Sequence, residues 1–162
     1  MQIYRNILNK LEKVLLSVAA VLFIVIFLVS VAEIVLRNCF SYSLLWCQDL
    51  CHLLTSWTML LGGAALIHRD DHLVVDFLVK ATPVKMQKSL RLLTRLILLY
   101  FCFVLGYHGL DVVSVKMGLY YTSLRWPTGF AYMSLPVFGV TAGLFLIEKI
   151  VDSAKEIFGL SK

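Results

Sequence analysis

The sequence predicts an all-α integral membrane protein with four transmembrane helices, an interfacial amphipathic segment between helices two and three, and both termini in the cytoplasm. Three observations carry that prediction. Of 162 residues, 60% are hydrophobic and only 15% charged, a composition outside the range of soluble domains. Val14–Ala32 and Gly129–Ile147 are runs of 19 residues without a charge, close to the ~20 that a helix needs to cross a bilayer. The basic residues fall on alternate connections, the pattern left by the positive-inside rule.

The first span is placed at 14–36, where the apolar run continues through Glu33. Ser30-Val31-Ala32 has the form of a signal-peptidase site, but the apolar run before it is longer than a signal peptide's, so an uncleaved helix is expected. The second span, 46–67, is polar in its first half, with Gln48, Asp49, His52, Thr55 and Ser56, and ends in Gly62-Gly63-Ala64-Ala65. The third is placed at 92–115 and the fourth at 129–147. Together they fill the chain, so residues 1–162 are read as a single membrane domain.

Arg5, Lys10 and Lys13 precede the first span, Arg69, Lys80, Lys85, Lys88, Arg91 and Arg95 surround the central connection, and Lys149, Lys155 and Lys162 follow the fourth span. Only Arg37, Lys116 and Arg125 lie on the opposite side. A split of 12 to 3 places the termini and the central connection in the cytoplasm. Tyr42, Trp46, Tyr120, Tyr121, Trp126 and Tyr132 cluster at the opposite ends of the spans, where amphipathic rings favour the headgroup region. The net charge of +5 thus follows from topology. With so few polar residues left over, no separate soluble catalytic site or nucleic-acid surface is expected.

The connection at 69–91 mixes Leu73, Val74, Val75, Phe77, Leu78 and Val79 with Asp76 and Lys80, too apolar for a free loop, and is expected to lie on the membrane. Thr82-Pro83 reads as an N-cap with proline at the first helical position. A helix from Pro83 to Lys116 would be about 50 Å long, longer than the ~30 Å hydrocarbon core.

Few residues suggest chemistry. Cys47 and Cys51 are four apart, one more than a dithiol or haem-attachment motif requires, and are read as small apolar packers. His52 and His108 are the one pair placed to ligate a haem between helices. Intramembrane acids are costly and usually functional, which singles out Glu33, Asp49 and Asp111. Each has a nearby partner at helical spacing: Arg37, His52 and His108, respectively. Gly139 and Gly143, with Gly62 and Gly63, are read as close-contact helix faces, internal or intermolecular. Phosphate loops, nucleophile elbows and the half-repeats of a complete carrier are missing from the sequence. An accessory subunit, not an enzyme, is the expectation.

In order along the chain stand Glu33-Ile34-Val35-Leu36-Arg37, Trp46 with Gln48-Asp49, Gly62-Gly63-Ala64-Ala65, His72-Leu73-Val74-Val75-Asp76, Ser123-Leu124-Arg125-Trp126-Pro127, Tyr132 and Leu135-Pro136. This series resembles the small membrane subunit, DctQ-like, of tripartite ATP-independent periplasmic (TRAP) transporters. Where that family typically has a pair of acids after the tryptophan, Gln48-Asp49 keeps one. The resemblance implies an accessory subunit of a sodium-coupled transporter in the bacterial inner membrane that takes up an organic acid, such as a dicarboxylate or sialic acid. Its implied partners are a large multi-span subunit that moves substrate by an elevator motion, a periplasmic substrate-binding protein, and membrane lipids. No cofactor or metal is implied, and a bound phospholipid is compatible with the reading. Trp46, Arg125, Trp126 and Pro127 would then be candidates for docking the binding protein. Glu33, Arg37, Trp46, Gln48, Asp49, Gly62, Gly63, His72, Asp76, Gly139 and Gly143 would be motif or subunit-contact candidates. The residues alone also leave open a small proton-coupled exporter using Glu33, or a four-helix redox protein.

Overall fold

The computed structural model describes residues 2–69 and 84–157, and every regular element among them is helical. Helix α1 is Gln2–Phe40, α2 Leu45–Arg69, α3 Val84–Lys116, α4 the single turn Gly129–Tyr132, and α5 Ser134–Ile157. Among the described residues, four stretches are long and apolar enough to cross a membrane: Arg5–Phe40, Leu45–Arg69, Leu92–Lys116 and Gly129–Val151. The expected interfacial segment, with His72 and Asp76 and the Thr82-Pro83 cap, lies outside the described residues.

Helix α1 begins well before the apolar run starts at Val14. Leu8, Leu15 and Ala19 are buried at intervals of seven and four, one face of a helix, so the polar first turns extend the same rod. It stops where Ser41 takes a positive φ of 51°, a left-handed conformation that ends helices. The Tyr42 N–H reaches back to the Leu36 carbonyl at 3.3 Å. The fourth span is not one continuous helix. Pro136 has no N–H to donate to the Tyr132 carbonyl four residues earlier and its ring crowds that position, so α4 and α5 are separated at Met133.

The helices pack in the spatial order α1, α2, α5, α3: α1 lies on α2, α2 on α5, and α5 on α3. Among the described residues this is an open row, in which each outer helix has one side without a neighbouring helix. The core runs through its middle, where Leu61, Ala64 and Ala65 of α2 meet Phe138, Ala142, Phe145 and Leu146 of α5, with Cys102 of α3 on one flank and Leu15 and Ala19 of α1 on the other. The α3–α5 crossing is set by glycine. A Cβ on Gly139 would stand 2.7 Å from the Gly106 Cα and 2.9 Å from the Cys102 carbonyl oxygen, so the two backbones come this close only because Gly139 has no side chain.

Candidate docking and subunit-contact site

At the end where α1 turns into α2 and α3 into α4, residues 117–128 form a folded loop. Tyr121 N–H donates to the Trp126 carbonyl at 2.9 Å, Arg125 N–H to the Tyr121 carbonyl at 3.1 Å, and Thr128 N–H to the Leu119 carbonyl at 2.8 Å. Tyr120 and Pro127 pair as an isolated antiparallel bridge. Arg125 has a positive φ of 56°, uncommon for a residue with a side chain, and it closes the turn.

Two more of the turn's amides are satisfied from another helix. Asp49, in the second turn of α2, accepts hydrogen bonds through Oδ2 from Ser123 N–H at 2.9 Å and Leu124 N–H at 3.2 Å. Charge-assisted bonds of this kind are about twice as strong as neutral ones. One turn further along α2, His52 Nδ1 lies 2.9 Å from the Tyr121 hydroxyl, and burial pushes the Tyr121 phenol above its ordinary pKa, with Tyr132 and Asp49 adding to the effect. Trp57 Nε1–H donates to the Phe130 carbonyl at 3.0 Å, which fixes α4, and the Thr128 hydroxyl donates to the Lys116 carbonyl at 3.0 Å. The polar first half of α2 is thus a set of anchors for a loop some seventy residues away in the chain.

These anchors correct one expectation: Asp49 does not use His52 as its partner, and each side chain has its own place on the loop. The expected ion pair of Glu33 with Arg37 is also not formed among the described residues. Glu33 is half-buried beside the Cys47 thiol of α2, whereas Arg37 is exposed. Only His108 and Asp111 pair as the spacing implied, at 3.6 Å. Cys47 and Cys51 are free thiols with sulfurs 3.9 Å apart, Cys47 directed at the Val29 carbonyl and Cys51 at Ser30. They sit in the α1–α2 contact, and the two histidines weighed as a haem pair take Tyr121 and Asp111 instead.

Of the docking candidates, Trp46, Arg125 and Trp126 are exposed, the last at 55%, and Pro127 is half-buried in its bridge. Gln48 is exposed in the first turn of α2. The glycine candidates divide. Gly139 is consumed by the crossing with Gly106, and a Cβ on Gly63 would lie 3.5 Å from the Phe138 ring, but one on Gly62 or Gly143 would meet nothing within 4 Å.

The opposite end holds a cluster that was not singled out from the sequence. Glu12 of α1 accepts from His68 Nδ1 at 2.9 Å and from Arg69 Nε at 2.6 Å. Glu148 of α5 stands 3.4 Å from His68 Nε2 and accepts from Arg5 Nε at 3.3 Å. The imidazole is thus held between two largely buried carboxylates and rests on the Phe145 ring at a centroid distance of 4.7 Å. Beside it, Arg95 of α3 binds the Lys149 carbonyl at 2.8 Å and the Ser153 hydroxyl. One signal could have found it: positions 12, 68 and 148 fall just beyond the edges of three spans, at the same end, and carry two carboxyl groups and an imidazole able to hydrogen-bond to both.

Residues 26–156 match the family model described as tripartite ATP-independent periplasmic transporters, DctQ component. A TRAP transporter small permease protein of Haemophilus influenzae is 23% identical over 154 residues, covering 94% of this chain and 93% of that protein. The sialic acid TRAP transporter permease protein SiaT from another strain of that species is 33% identical over 101 residues, 62% of this chain. The matched region is only 16% of SiaT's length, so most of that polypeptide has no counterpart here.

Proposed function

The chain belongs to the DctQ component family of the tripartite ATP-independent periplasmic transporters, and from that membership we propose that it serves as the small membrane subunit that braces a large permease and presents a docking loop to a periplasmic substrate-binding protein. The 12 to 3 division of basic residues supports a cytoplasmic placement of the termini and hence a periplasmic placement of the 117–128 loop in the bacterial inner membrane. The apolar and basic connection at 69–91 is suited to the inner leaflet, where anionic headgroups attract Lys and Arg.

The observation that carries the proposal is the grip of Asp49 on the loop. By satisfying the Ser123 and Leu124 amides from within the helix row, it fixes the backbone and leaves the exposed side chains of Arg125 and Trp126 as the outermost groups of a preorganised turn. Arg and Trp are enriched among residues that dominate protein interfaces, and a turn already ordered loses little entropy on binding. The similarity to SiaT supports an organic acid as the transported solute, and sodium as the coupling ion follows from the family reading. Lipid filling the apolar outer surfaces is in keeping with this role, and no cofactor is needed for it.

The test is uptake by the reconstituted three-protein system as the binding protein is titrated. Arg125→Glu should raise the binding-protein concentration required for half-maximal uptake about tenfold, while the two membrane subunits still co-purify. Unchanged dependence on binding protein would remove the loop from docking.

A further inference from the structure

Glu12 of α1, His68 of α2 and Glu148 of α5 meet at the end of the row that carries the termini, and their side chains are only 10–11% exposed. The two carboxylates meet the ring at different nitrogens. Nδ1 stands 2.9 Å from Glu12 Oε2, and Nε2 stands 3.4 Å from Glu148 Oε2. A neutral imidazole has one N–H and one bare lone pair, whereas the imidazolium has two N–H groups. One of the two carboxylates therefore faces a lone pair unless the ring carries its second proton.

The two glutamates are not equivalent. Glu12 accepts from His68 through one oxygen and from Arg69 Nε through the other. Glu148 accepts from Arg5 Nε through Oε1, but its Oε2 is buried and has no hydrogen-bond partner among the described residues. A buried carboxylate oxygen without a donor is costly, and His68 Nε2 is placed to supply that donor once it is protonated. Arg5 and Arg69 are 59% and 52% exposed, so solvent lies one side chain away from each carboxylate. The other charged groups bordering the cluster, among the described residues, are Lys149 of α5 and Arg95 of α3, which binds the Lys149 carbonyl and the Ser153 hydroxyl.

We infer that Glu12, His68 and Glu148 form a binding site for one exchangeable proton, and that its occupancy sets how firmly α5 is held to α1 and α2. With the proton on Nε2, the ring donates to both carboxylates and ties three helices together. When that proton leaves to water, the remaining N–H stays on Nδ1, where the shorter contact to Glu12 lies, and the Nε2 lone pair confronts Glu148 Oε2. The link to α5 is lost and the link between α1 and α2 survives. The closed arrangement is the one that contains the proton, so its contribution is present at low pH and is lost as pH rises. Imidazole is the side chain that changes charge between about pH 5 and pH 8. The site lies at the opposite end from the 117–128 loop and does not depend on the docking role.

The test follows the full-length chain in detergent between about pH 5 and about pH 8. Nitrogen magnetic resonance on isotope-labelled histidine, with His68→Gln identifying the signal, should show both His68 ring nitrogens protonated at the acid end and only Nδ1 at the alkaline end. Over that interval the wild-type melting temperature should fall about 3 °C further than that of Glu148→Gln, whose amide can accept from a protonated Nε2 or donate to a bare one. At the alkaline end the α5 amides that follow Glu148 should exchange faster in the wild type than in the variant, with α1 unchanged. A His68 ring that keeps one protonation state throughout, or the same pH dependence in both proteins, would overturn the site. Should Glu148→Gln fail to fold, the wild type decides: a change of ring state with loss of α5 protection supports the site, and a change without it overturns the site. Either failure leaves the proposed function standing, because the loop takes no part in these measurements.

Discussion

The two ends of the helix row are held by different chemistry. At the end carrying the termini, side chains bind side chains: Glu12, His68 and Glu148 join three helices, with Arg5 and Arg69 outside them. At the loop end, side chains bind mainly backbone: Asp49 takes two amides, Trp57 a carbonyl and Thr128 another, with His52 and Tyr121 the one side-chain pair, as Arg95 on the Lys149 carbonyl is the backbone contact described at the other end. The first arrangement fixes how far apart helices stand, and its groups are consumed in doing so. The second fixes the shape of a turn and leaves that turn's own side chains available. An end built in the first way suits bracing, and one built in the second suits recognition.

The largest expected effect comes from the α3–α5 crossing between the two ends. Gly139→Leu drives a side chain into the Gly106 backbone, where even a Cβ would approach to 2.7 Å, and overpacking against backbone has no flexible neighbour to absorb it. Purified in detergent, this variant should lose its monodisperse peak on size exclusion and its cooperative thermal transition. Retention of both would mean that the α3–α5 crossing does not organise the row.

His68→Ala should affect the termini end alone. It leaves the Glu12 and Glu148 carboxylates, each largely buried, facing one another without the imidazole, and leaving a buried polar group without its partner costs about 1–3 kcal/mol. A marked fall in melting temperature is expected, with the 117–128 amides keeping their hydrogen-exchange protection. Equal loss of protection at both ends would show that they are not independent.

A smaller and more local loss is expected for Asp49→Ala. Ser123 and Leu124 would lose their acceptor, a penalty of about 1 kcal/mol confined to the turn because water reaches the exposed Ser123 amide. Hydrogen exchange should accelerate at those amides and leave α2 and α5 protected. If protection at Ser123 and Leu124 is unchanged, the loop is self-sufficient and its preorganisation does not come from α2. Combining Asp49→Ala with His68→Ala should give additive losses, because the sites share no partner.

Much of the secondary structure was legible because its causes are local. The apolar runs of Val14–Ala32 and Gly129–Ile147 identified spans through transfer free energy, which a residue carries wherever it sits. The break at Met133 was legible in principle from Pro136, but the uncharged run masked it. The motif pieces around Trp46 and Asp49, and Ser123 to Pro127, were visible separately. That they touch was not, since the partners at 49 and 123 are 74 residues apart. Local spacing instead suggested pairs at three or four residues, which held for His108 with Asp111 and failed for Glu33 with Arg37, where α2 brings the Cys47 thiol to the carboxylate.

By itself, the sequence determined that this chain makes four apolar helices, and its motif order placed it in a transporter family. Helix formation and burial in hydrocarbon depend on composition over ~20 residues, and such information is written along the chain. Only the tertiary structure decided that Gly139 is spent on Gly106 while Gly143 stays open, that Asp49 shapes a loop rather than pairing with its neighbour, and that two glutamates close on His68. Those outcomes depend on the rotation of each helix about its axis and on which helix lies beside it. Both are set by side-chain packing across the row, where a rotation of one residue, about 100°, turns a contact into an exposed face.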